Sequence, residues 1–450
     1  RQMCIRDRFK GKKIISIVAF LYLLALCFFG WGLAAGNLKI FPWKYLASIY
    51  DEVHAYFTFQ EGPAKSVEDK IVLDHQEKRT KFETSGFKPR DPDFQDDGYL
   101  LISKYSKERG QVIVELFSID NEQILHTWVP SQPDIFEKSQ DLSVNLTKDL
   151  DTFIVEHPLL LEDGGLVFNT QDGPMVRIDA CGNTIWVINR YFHHSVEIDS
   201  RGNIVSCIVL EGQGPDKAFP ISDEGIAIVS LEGEILKVYS VTDILLENGY
   251  SGLIYGVGRF EEDRIHLNDV QPIIEQTENA EVGDLALSIR NLSTVALVQP
   301  GSGKIKWLKT GPWLNQHDVN PLGNDRYSVF GNDVVRGFKK GNKPFAHFKD
   351  GGSEIYVYDQ RADSVSRPYS QVMKEERIKT VKEGLSTILA NGDAFIEQQG
   401  FARLLRISED KVRWEYVNKI SGDTVGDLHW SRYLSNDTID LNWLENLRCQ

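Results

Sequence analysis

Three histidines recur at a similar place in a repeated pattern of strand and glycine turn. His317 stands six residues before Gly323 in HDVNPLG. His194 and His157 stand eight and seven residues before the glycines of HSVEIDSRG and HPLLLEDG. A neutral imidazole nitrogen can act as a nucleophile or a proton carrier near neutral pH. If these positions belong to successive units of a repeat, we expect their side chains to converge where the chain enters each innermost strand.

A second group of polar side chains follows the same pattern. His266 begins another unit, and Asn268 two residues later would share one face of an extended strand with it. Arg290 ends the next predicted strand, where its guanidinium offers a forked pair of donors. Three imidazoles, a guanidinium and an amide at one mouth would suit a tetrahedral anion such as a sulfate or phosphate group.

Each of these residues also has an ordinary structural interpretation. A single histidine in a β protein is most often a satisfied core or surface group, and Arg290 could belong to a surface ion pair. A metal-dependent hydrolase using the same histidines would need carboxylate ligands, for which Asp269 and Asp318 are the nearby candidates. The shared register favours an anion site without a metal, in which Asp318 belongs to the substrate-binding residues and orients the local backbone.

The elements that must position these side chains are short strands. From Tyr99 onward, apolar or alternating runs are separated by Gly, Asn and Asp turns, which is typical of an all-β fold. One type of strand recurs six times over about 350 residues, roughly 60 residues per unit. Its copies are ILHTW (124–128), TIWVI (184–188), ILKVY (235–239), KIKWL (304–308), SEIYVYD (353–359) and VRWEY (412–416). The repeat predicts a six-bladed β-propeller, with a stacked pair of β-sandwiches as the alternative.

Four segments divide the chain. Residues 1–13 are a basic segment, and residues 14–36 carry no charge. A run of that length fits one transmembrane helix, which needs about 20 residues, although a cleaved signal remains the alternative. Residues 37–96 predict a membrane-proximal stalk or helical segment with a polar linker, and residues 97–450 the propeller. The basic residues before the apolar run predict a single-pass membrane protein with its propeller on the periplasmic, extracytoplasmic side.

Charge and cysteine content limit the partners. The net charge of -15 repels phosphate backbones, which argues against nucleic acid as a general partner. The five cysteines show no CxxC pair and no metal-ligand spacing. Cys181 and Cys207 are expected to be structural or free, with a mutual disulfide as an alternative in an oxidising compartment.

Four stretches resemble the arylsulfotransferase family. They are DACGNTIWVINRYFHHSVEID, RIHLNDVQPI, GDLALSIRNLSTVALVQPGSGKIKWLKTG and NQHDVNPLGNDRYSVFGND, and the likeness spans residues 155–420. Members of that family fold as six-bladed β-propellers. They pass a sulfuryl group from an aryl sulfate to a phenol through a transiently sulfurylated histidine, without a nucleotide sulfate carrier. The resemblance implies the same fold and reaction here, with an aryl sulfate and a phenol as small-molecule partners and with no cofactor.

The resemblance also implies roles for particular residues. Through the QHD motif, His317 would be the nucleophile. The sulfuryl oxygens and the phenolic proton would be handled by His194 or its neighbour His193, by His266 with Asn268, and by Arg290.

Two hypotheses of different classes remain open beside the metal-dependent one. The chain is either an aryl sulfate sulfotransferase or a catalytically idle propeller that serves as an exported binding or assembly module. They differ in whether the histidines and Arg290 converge on one anion. Trp313, His429 and Trp430 are candidate aromatic walls for an aryl acceptor, with plain packing as the alternative.

Overall fold

The structure is a computed structural model of the chain. It describes residues 22–23, 77–79, 82–139, 153–171, 173–210, 222–258, 262–339 and 343–449. The apolar run 14–36 lies outside these residues apart from Tyr22 and Leu23, so the membrane span stays a prediction. Within the described ranges, no helix has the length and apolar character needed to cross a bilayer.

Strands are the predominant regular structure of the described chain, and their residue composition explains this. Val, Ile and aromatic residues dominate them, and such side chains fit a pleated, half-buried surface. In chain order the strands are β1 (Glu77–Arg79), β2 (Gly86–Pro89), β3 (Tyr99–Ser106), β4 (Gln111–Ser118), β5 (Gln123–Trp128), β6 (Glu156–Leu160), β7 (Leu166–Asn169), β8 (Gly173–Ile178), β9 (Thr184–Ile198), β10 (Ile204–Val209), β11 (Glu224–Val229), β12 (Ile235–Ser240), β13 (Leu267–Pro272), β14 (Leu285–Ile289), β15 (Thr294–Gln299), β16 (Lys304–Thr310), β17 (Asp318–Pro321), β18 (Arg326–Gly331), β19 (Val334–Lys339), β20 (Lys343–Phe348), β21 (Glu354–Asp359), β22 (Ser364–Ser366), β23 (Leu385–Ile388), β24 (Ala394–Gln398), β25 (Arg403–Ile407), β26 (Val412–Val417), β27 (Lys419–Ser421), β28 (Thr424–Gly426) and β29 (Arg432–Leu434).

Short helices connect some of these strands. The α-helices are α1 (Gln132–Lys138), α2 (Val241–Glu247), α3 (Ser251–Tyr255), α4 (Ser370–Glu375) and α5 (Asn442–Asn446). Among the described residues, 3-10 turns lie at Arg290–Leu292, Lys349–Gly351 and Gln399–Phe401.

The sheets are antiparallel meanders in a propeller-like arrangement, which confirms the predicted all-β fold. Four-stranded sheets have the orders β29-β3-β4-β5, β13-β14-β15-β16 and β17-β18-β21-β22, and a five-stranded sheet has the order β2-β26-β25-β24-β23. A seven-stranded sheet runs from β12 to β6. Its long strand β9 pairs with β8 through its first part and with β10 through its last part. The pairing of β29 with β3 closes the first sheet with a strand from near the C-terminus.

The inner strands of successive sheets contact one another in the order β6, β9, β13, β17 and β23. A repeated hydrogen bond joins them. Ser195 Oγ accepts the backbone N–H of Val270, and Asp269 Oδ2 accepts that of Val319, both at 3.0 Å. Asp318 Oδ2 accepts the N–H of Ser386 at 2.8 Å. A side chain on each inner strand therefore satisfies a backbone donor of the next strand, which a buried amide requires.

Hairpin turns explain how the strands connect. Asp179 Oδ1 accepts the backbone N–H groups of Cys181 and Asn183, and Gly182 between them has a φ of 86°. A left-handed φ costs little only for glycine, so the DACGN stretch specifies this turn. The DSRGN stretch at 199–203 repeats the same bonds.

Residues 86–96, which the sequence predicts as polar linker, instead form a short strand at 86–89 and a segment that is bonded to the neighbouring sheet. Strand β2 pairs with β26 as an additional edge strand. Asp96 lies 2.7 Å from Arg406 Nη1, and Asp91 lies 2.6 Å from Arg413 Nη1. The acidic residues that give this segment its linker-like composition are thus partners for arginines of strands more than 300 residues away in sequence.

The cysteine pairing also differs from the expected alternative. Cys181 forms a disulfide with Cys449, whereas Cys207 is free and buried. Cys207 lies within β10, where its Sγ is 3.5 Å from Ser195 Oγ, while Cys181 lies in a half-buried hairpin turn. A Cys181–Cys207 bridge is therefore wrong, because the two residues belong to different parts of the sheet.

Candidate active site

The repeated hydrogen bond between inner strands defines equivalent positions. His194, Asn268 and His317 each come one residue before a side chain that accepts the next strand's amide. His157 does not share this position, because its own Nδ1 accepts the N–H of Val196 at 3.2 Å. The register that the sequence predicts for His194 and His317 holds in the structure, whereas His157 is displaced from it by one residue.

His194 and His266 have left-handed backbone conformations, which place their side chains away from the ordinary alternation of a strand. Their φ angles are 55° and 46°. Such angles are uncommon for residues other than glycine and need support from neighbouring groups. Glu156 Oε2 accepts the backbone N–H of His194 at 2.7 Å, and Glu224 Oε2 accepts that of Leu267 directly after His266. Buried carboxylates therefore anchor the backbone of both histidines.

His194 lies at the centre of the cluster. Its ring centroid is 5.6 Å from that of His266 and 5.9 Å from that of His317. Its Nδ1 is 2.7 Å from Nδ1 of His193, so one of the two nitrogens donates a proton to the other. The sequence leaves open which of the adjacent histidines faces the site. The ring of His194 contacts those of His266 and His317, whereas His193 contacts the ring of His194 through the hydrogen bond between their Nδ1 atoms.

His317 is buried, and its ring orientation is fixed by Asn332. The Nδ1 of His317 lies 2.5 Å from Oδ1 of Asn332. The Nδ2 of Asn332 donates to the carbonyl oxygens of Thr380 and Glu383 and to Thr380 Oγ1, at 2.8–3.0 Å. Three acceptors around Nδ2 settle the amide orientation, so Oδ1 must accept a proton from His317 Nδ1. Nε2 of a neutral His317 then carries the lone pair.

Burial keeps the central imidazoles neutral at pH 7. Burial lowers the pKa of His317 to about 3, and the charges of His266 and Lys382 act in the same direction. Burial lowers the pKa of His193 to about 3 as well. The pKa of His194 lies well below its ordinary value because of burial and then because of the neighbouring histidines. A neutral imidazole is the form in which a ring nitrogen can attack an electrophile.

Arg290 brings a buried positive charge to this region. Its side chain is almost fully buried, its backbone N–H donates to the carbonyl of His266, and Nη1 donates to Asn291 Oδ1. Its Nε has no hydrogen-bond partner, and none of the described carboxylates pairs with this guanidinium. A buried guanidinium without a counter-ion is costly, which favours an anion beside it.

Comparison with protein families gives the identity of this domain. The sequence model of the arylsulfotransferase (ASST) family matches residues 157–419. The chain belongs to the arylsulfotransferase family. The matched range contains His194, His266, Arg290 and His317, so the family predicted from the four sequence stretches is confirmed.

Three solved structures illustrate the similarity of this arylsulfotransferase family member to known folds, each at 10–12% identity. A protein of unknown function from Bacteroides caccae is 12% identical, covers 75% of this chain and 99% of its own, and has a TM-score of 0.44. The C-terminal WD40 domain of Sif2 is 10% identical, with coverages of 72% and 84% and a TM-score of 0.35. Virginiamycin B lyase from Staphylococcus aureus is 12% identical, with coverages of 64% and 97% and a TM-score of 0.34. A comparison with curated proteins finds no match.

The remaining predicted polar residues have structural partners in this arylsulfotransferase family member. Asn268 Nδ2 donates to the carbonyl of Gln316 at 3.2 Å, while its buried Oδ1 has no hydrogen-bond partner within the described residues. Because His266 is left-handed and precedes β13, strand alternation does not relate it to Asn268. Asp269 and Asp318 join inner strands, so both are committed to backbone amides and neither is placed as a metal ligand.

The three candidate aromatic walls differ in their surroundings. Trp313 is fully buried and packs on Tyr356 and Tyr358, so plain packing explains it. Trp430 is also buried, but its ring contacts that of His194 at 5.6 Å between centroids. His429 is buried, and its backbone N–H donates to the carbonyl of Ser103. Of the three, Trp430 is the one beside the histidine cluster.

Sequence reasoning missed Asn332 and the two anchoring glutamates, Glu156 and Glu224. Asn332 comes directly after β18, and a polar residue at the end of a buried strand is a weak signal that many turns share. The glutamates lie in otherwise apolar strands, where a buried acid needs partners. An acidic residue in an apolar strand is therefore a signal for Glu156 and Glu224, but it does not identify the backbone amides that they accept.

Proposed function

We propose that this chain is a sulfotransferase that moves a sulfuryl group from an aryl sulfate to a phenolic acceptor through sulfurylated His317. The observation that carries the proposal is the Asn332–His317 hydrogen bond, which leaves a lone pair on Nε2 of a neutral, buried imidazole. Membership of the arylsulfotransferase family gives the reaction class. The unpaired guanidinium of Arg290 gives a reason for an anionic substrate to bind here.

In the first half-reaction, Nε2 of His317 attacks the sulfur of the aryl sulfate. An N–S bond forms, the bond between sulfur and the aryl oxygen breaks, and the aryl group leaves as a phenolate. Negative charge on the sulfuryl oxygens is met by Arg290, as preorganised donors meet developing charge in other transfer enzymes. The phenolate takes a proton from water.

In the second half-reaction, the acceptor phenol loses its proton to water and its oxygen attacks the same sulfur. The N–S bond breaks, the new aryl sulfate leaves, and His317 regains its lone pair. The two half-reactions together exchange one proton with solvent in each direction, so the overall transfer is balanced. Splitting the transfer in this way gives ping-pong kinetics.

The other predicted site residues surround the reacting group in this proposal. The ring of His194 lies next to those of His266 and His317. In this proposal the ring nitrogens of His194 and His266 would contact sulfuryl or phenolic oxygens. Asn268 lies at the position equivalent to His194 and His317 on the intervening inner strand. His193 holds the ring of His194 through the contact between their Nδ1 atoms.

We further propose a ring of six blades and an exported domain. The seven-stranded sheet divides at β9 into two four-stranded meanders, which with the four other propeller sheets would make six. The Cys181–Cys449 disulfide supports an oxidising compartment such as the periplasm, because cytosolic thiols are kept reduced. The basic segment and apolar run before residue 37 support a single-pass anchor with the propeller on the extracytoplasmic side.

Steady-state kinetics with a chromogenic aryl sulfate and a phenol tests the proposed function. We expect parallel double-reciprocal plots as the phenol concentration is varied, and a loss on the order of 10³-fold or more in His317→Asn. His126→Asn is the matched control, since His126 lies on β5 and contacts Trp128 rather than the cluster. A folded wild-type protein that releases no phenol from any aryl sulfate would favour the alternative, a non-catalytic exported binding or assembly module.

A further inference from the structure

A group of metal-ligating side chains adjoins the histidine cluster. Glu224, Asp263 and His266 each offer one ligand atom, and these atoms lie within 4.8 Å of one another. Asp263 Oδ2 is 2.9 Å from Nδ1 of His266. Both of those side chains are partly exposed, at 50% and 29%, whereas Glu224 is buried. The group is therefore reachable from solvent on one side and enclosed on the other.

A fourth side chain points to a ligand in this place. His193 is 2% exposed, and its Nε2 has no hydrogen-bond partner in the part of the chain that the structure describes. That atom lies 3.8 Å from Oε2 of Glu224. A buried ring nitrogen without a partner loses its hydration for no gain, so a ligand beside it would remove this cost.

The donor types suit a first-row divalent cation. Two imidazoles and two carboxylates form a mixed nitrogen and oxygen set, which Zn²⁺ accepts in a tetrahedral arrangement at about 2.0–2.2 Å. The two carboxylates would balance the charge of the cation. These residues differ from Asp269 and Asp318, the carboxylates that the sequence suggests, because those two are bonded to backbone amides of the inner strands.

We propose that Glu224, Asp263, His266 and His193 bind a divalent transition-metal cation, with Zn²⁺ as the best-fitting representative. The cation would sit beside His194 rather than on His317. One consequence, which rests on the proposed sulfuryl transfer, concerns the proton position on His194. A cation on Nε2 of His193 puts the proton of that ring on Nδ1, from which it donates to Nδ1 of His194. The neutral His194 then carries its proton on Nε2 and acts as a hydrogen-bond donor to an anion.

Calorimetric titration of the purified, EDTA-treated full-length chain with Zn²⁺ tests the site. We expect one high-affinity site per chain and at least about tenfold weaker binding in Asp263→Asn. Asp363→Asn is the control, because Asp363 is an exposed acid that pairs with Lys309 in a different part of the fold. Asp263 is chosen ahead of Glu224, since Glu224 also holds the backbone of Leu267 and its loss threatens folding.

A second variant separates this proposal from the proposed function. His317→Asn should bind Zn²⁺ as the wild type does, even though it cannot form a sulfuryl adduct. X-ray absorption at the zinc edge should report two nitrogen and two oxygen ligands from the protein, both in wild type and in His317→Asn. The metal site would be overturned if wild type and Asp263→Asn bound Zn²⁺ with equal affinity, or if wild type bound it no more tightly than an ordinary surface carboxylate does. Either result would hold whatever the outcome for sulfuryl transfer.

Discussion

The side-chain oxygen of Asn332 lies 2.5 Å from Nδ1 of His317, and the amide nitrogen of Asn332 is held by three acceptors from Thr380 and Glu383. This bond decides which nitrogen of His317 is free. The two residues are 15 positions apart on opposite sides of the β17–β18 hairpin. Asn332 thus fixes the ring orientation of His317, the proposed nucleophile.

Replacing Asn332 should slow transfer more than it weakens donor binding. In Asn332→Ala the ring of His317 can rotate or change its protonated nitrogen, so we expect kcat to fall on the order of 10²-fold with KM changing little. The control is Asn418→Ala, which removes a buried asparagine that bonds the carbonyls of Tyr105 and Gly426. Equal losses of kcat in the two variants would mean that stability, rather than ring orientation, explains the effect.

The unpaired positive charge of Arg290 should reduce the stability of the free protein and favour binding of an anionic substrate. We expect Arg290→Met to be at least as stable as wild type without substrate, because it removes an unpaired buried charge. Wild type should gain about 2.7 kcal/mol of stability at an aryl sulfate concentration 100 times its Kd, and the variant should gain almost none. Scanning fluorimetry with and without the donor measures both effects.

Arg403 provides the contrast for that experiment. It is also buried, but Glu415 and Glu376 lie 2.5 Å and 2.6 Å from its Nη2. Arg403→Met should therefore lose about 3–5 kcal/mol, since it leaves buried carboxylates without their partner. If Arg290→Met destabilises the free protein as much as Arg403→Met does, Arg290 has a structural role instead.

The paired carboxylates of the inner strands should make stability depend on pH. Burial raises the pKa of Asp318 to about 7 from 3.8, and burial followed by the charge of Asp318 raises that of Asp269 well above 3.8. The folded state therefore holds protons that the unfolded state releases. Stability contributed by Asp318 is complete below about pH 4 and is lost as pH rises through about 7, with a limiting slope of about 1.4 kcal/mol per pH unit for one proton.

Asp318→Asn tests this dependence, because an amide oxygen can still accept the N–H of Ser386. We expect the decline of unfolding free energy between about pH 5 and 7 to become shallower in the variant. Urea unfolding across that range gives the slope. An unchanged slope would show that Asp318 is ionised throughout in the folded protein.

The disulfide should stabilise the fold by fixing the C-terminal segment. Cys181 and Cys449 are 268 residues apart, so their bond closes a very long loop. Removing such a bond typically costs about 2–5 kcal/mol. Wild type should therefore lose thermal stability under reducing conditions, while Cys449→Ser should be unaffected by reductant. Peptide mapping should find the Cys181–Cys449 link and an unmodified Cys207, and a Cys207 link in the native protein would contradict the structure.

The sequence predicts the strands well because β-branched and aromatic runs and Asp-x-x-Gly-Asn turns are local signals. Five of the six repeated stretches are the fourth strands of their meanders, and they coincide with β5, the first part of β9, β12, β16 and β26. The sixth stretch, at 353–359, is β21, which is the third strand of its sheet because the short β22 follows it. The inserted hairpin β19–β20 comes between β18 and β21, so spacing along the chain does not reveal which strand lies at the outer edge.

The candidate site is predictable only in part, because backbone conformation and distant partners decide the rest. The spacing of His194 and His317 before their turns is a local signal, and both occupy the same inner-strand position. The left-handed φ of His266 has no such signal, and it invalidates strand alternation as a guide to Asn268. Asn332 acts on His317 through tertiary contacts that no spacing rule contains.

The most direct test of the central claim is mass analysis of the purified protein after brief exposure to a chromogenic aryl sulfate. The account predicts a sulfuryl adduct on the peptide that contains His317, absent from His317→Asn and discharged by added phenol. An active protein without this adduct, or with the adduct on another residue, would contradict transfer through sulfurylated His317.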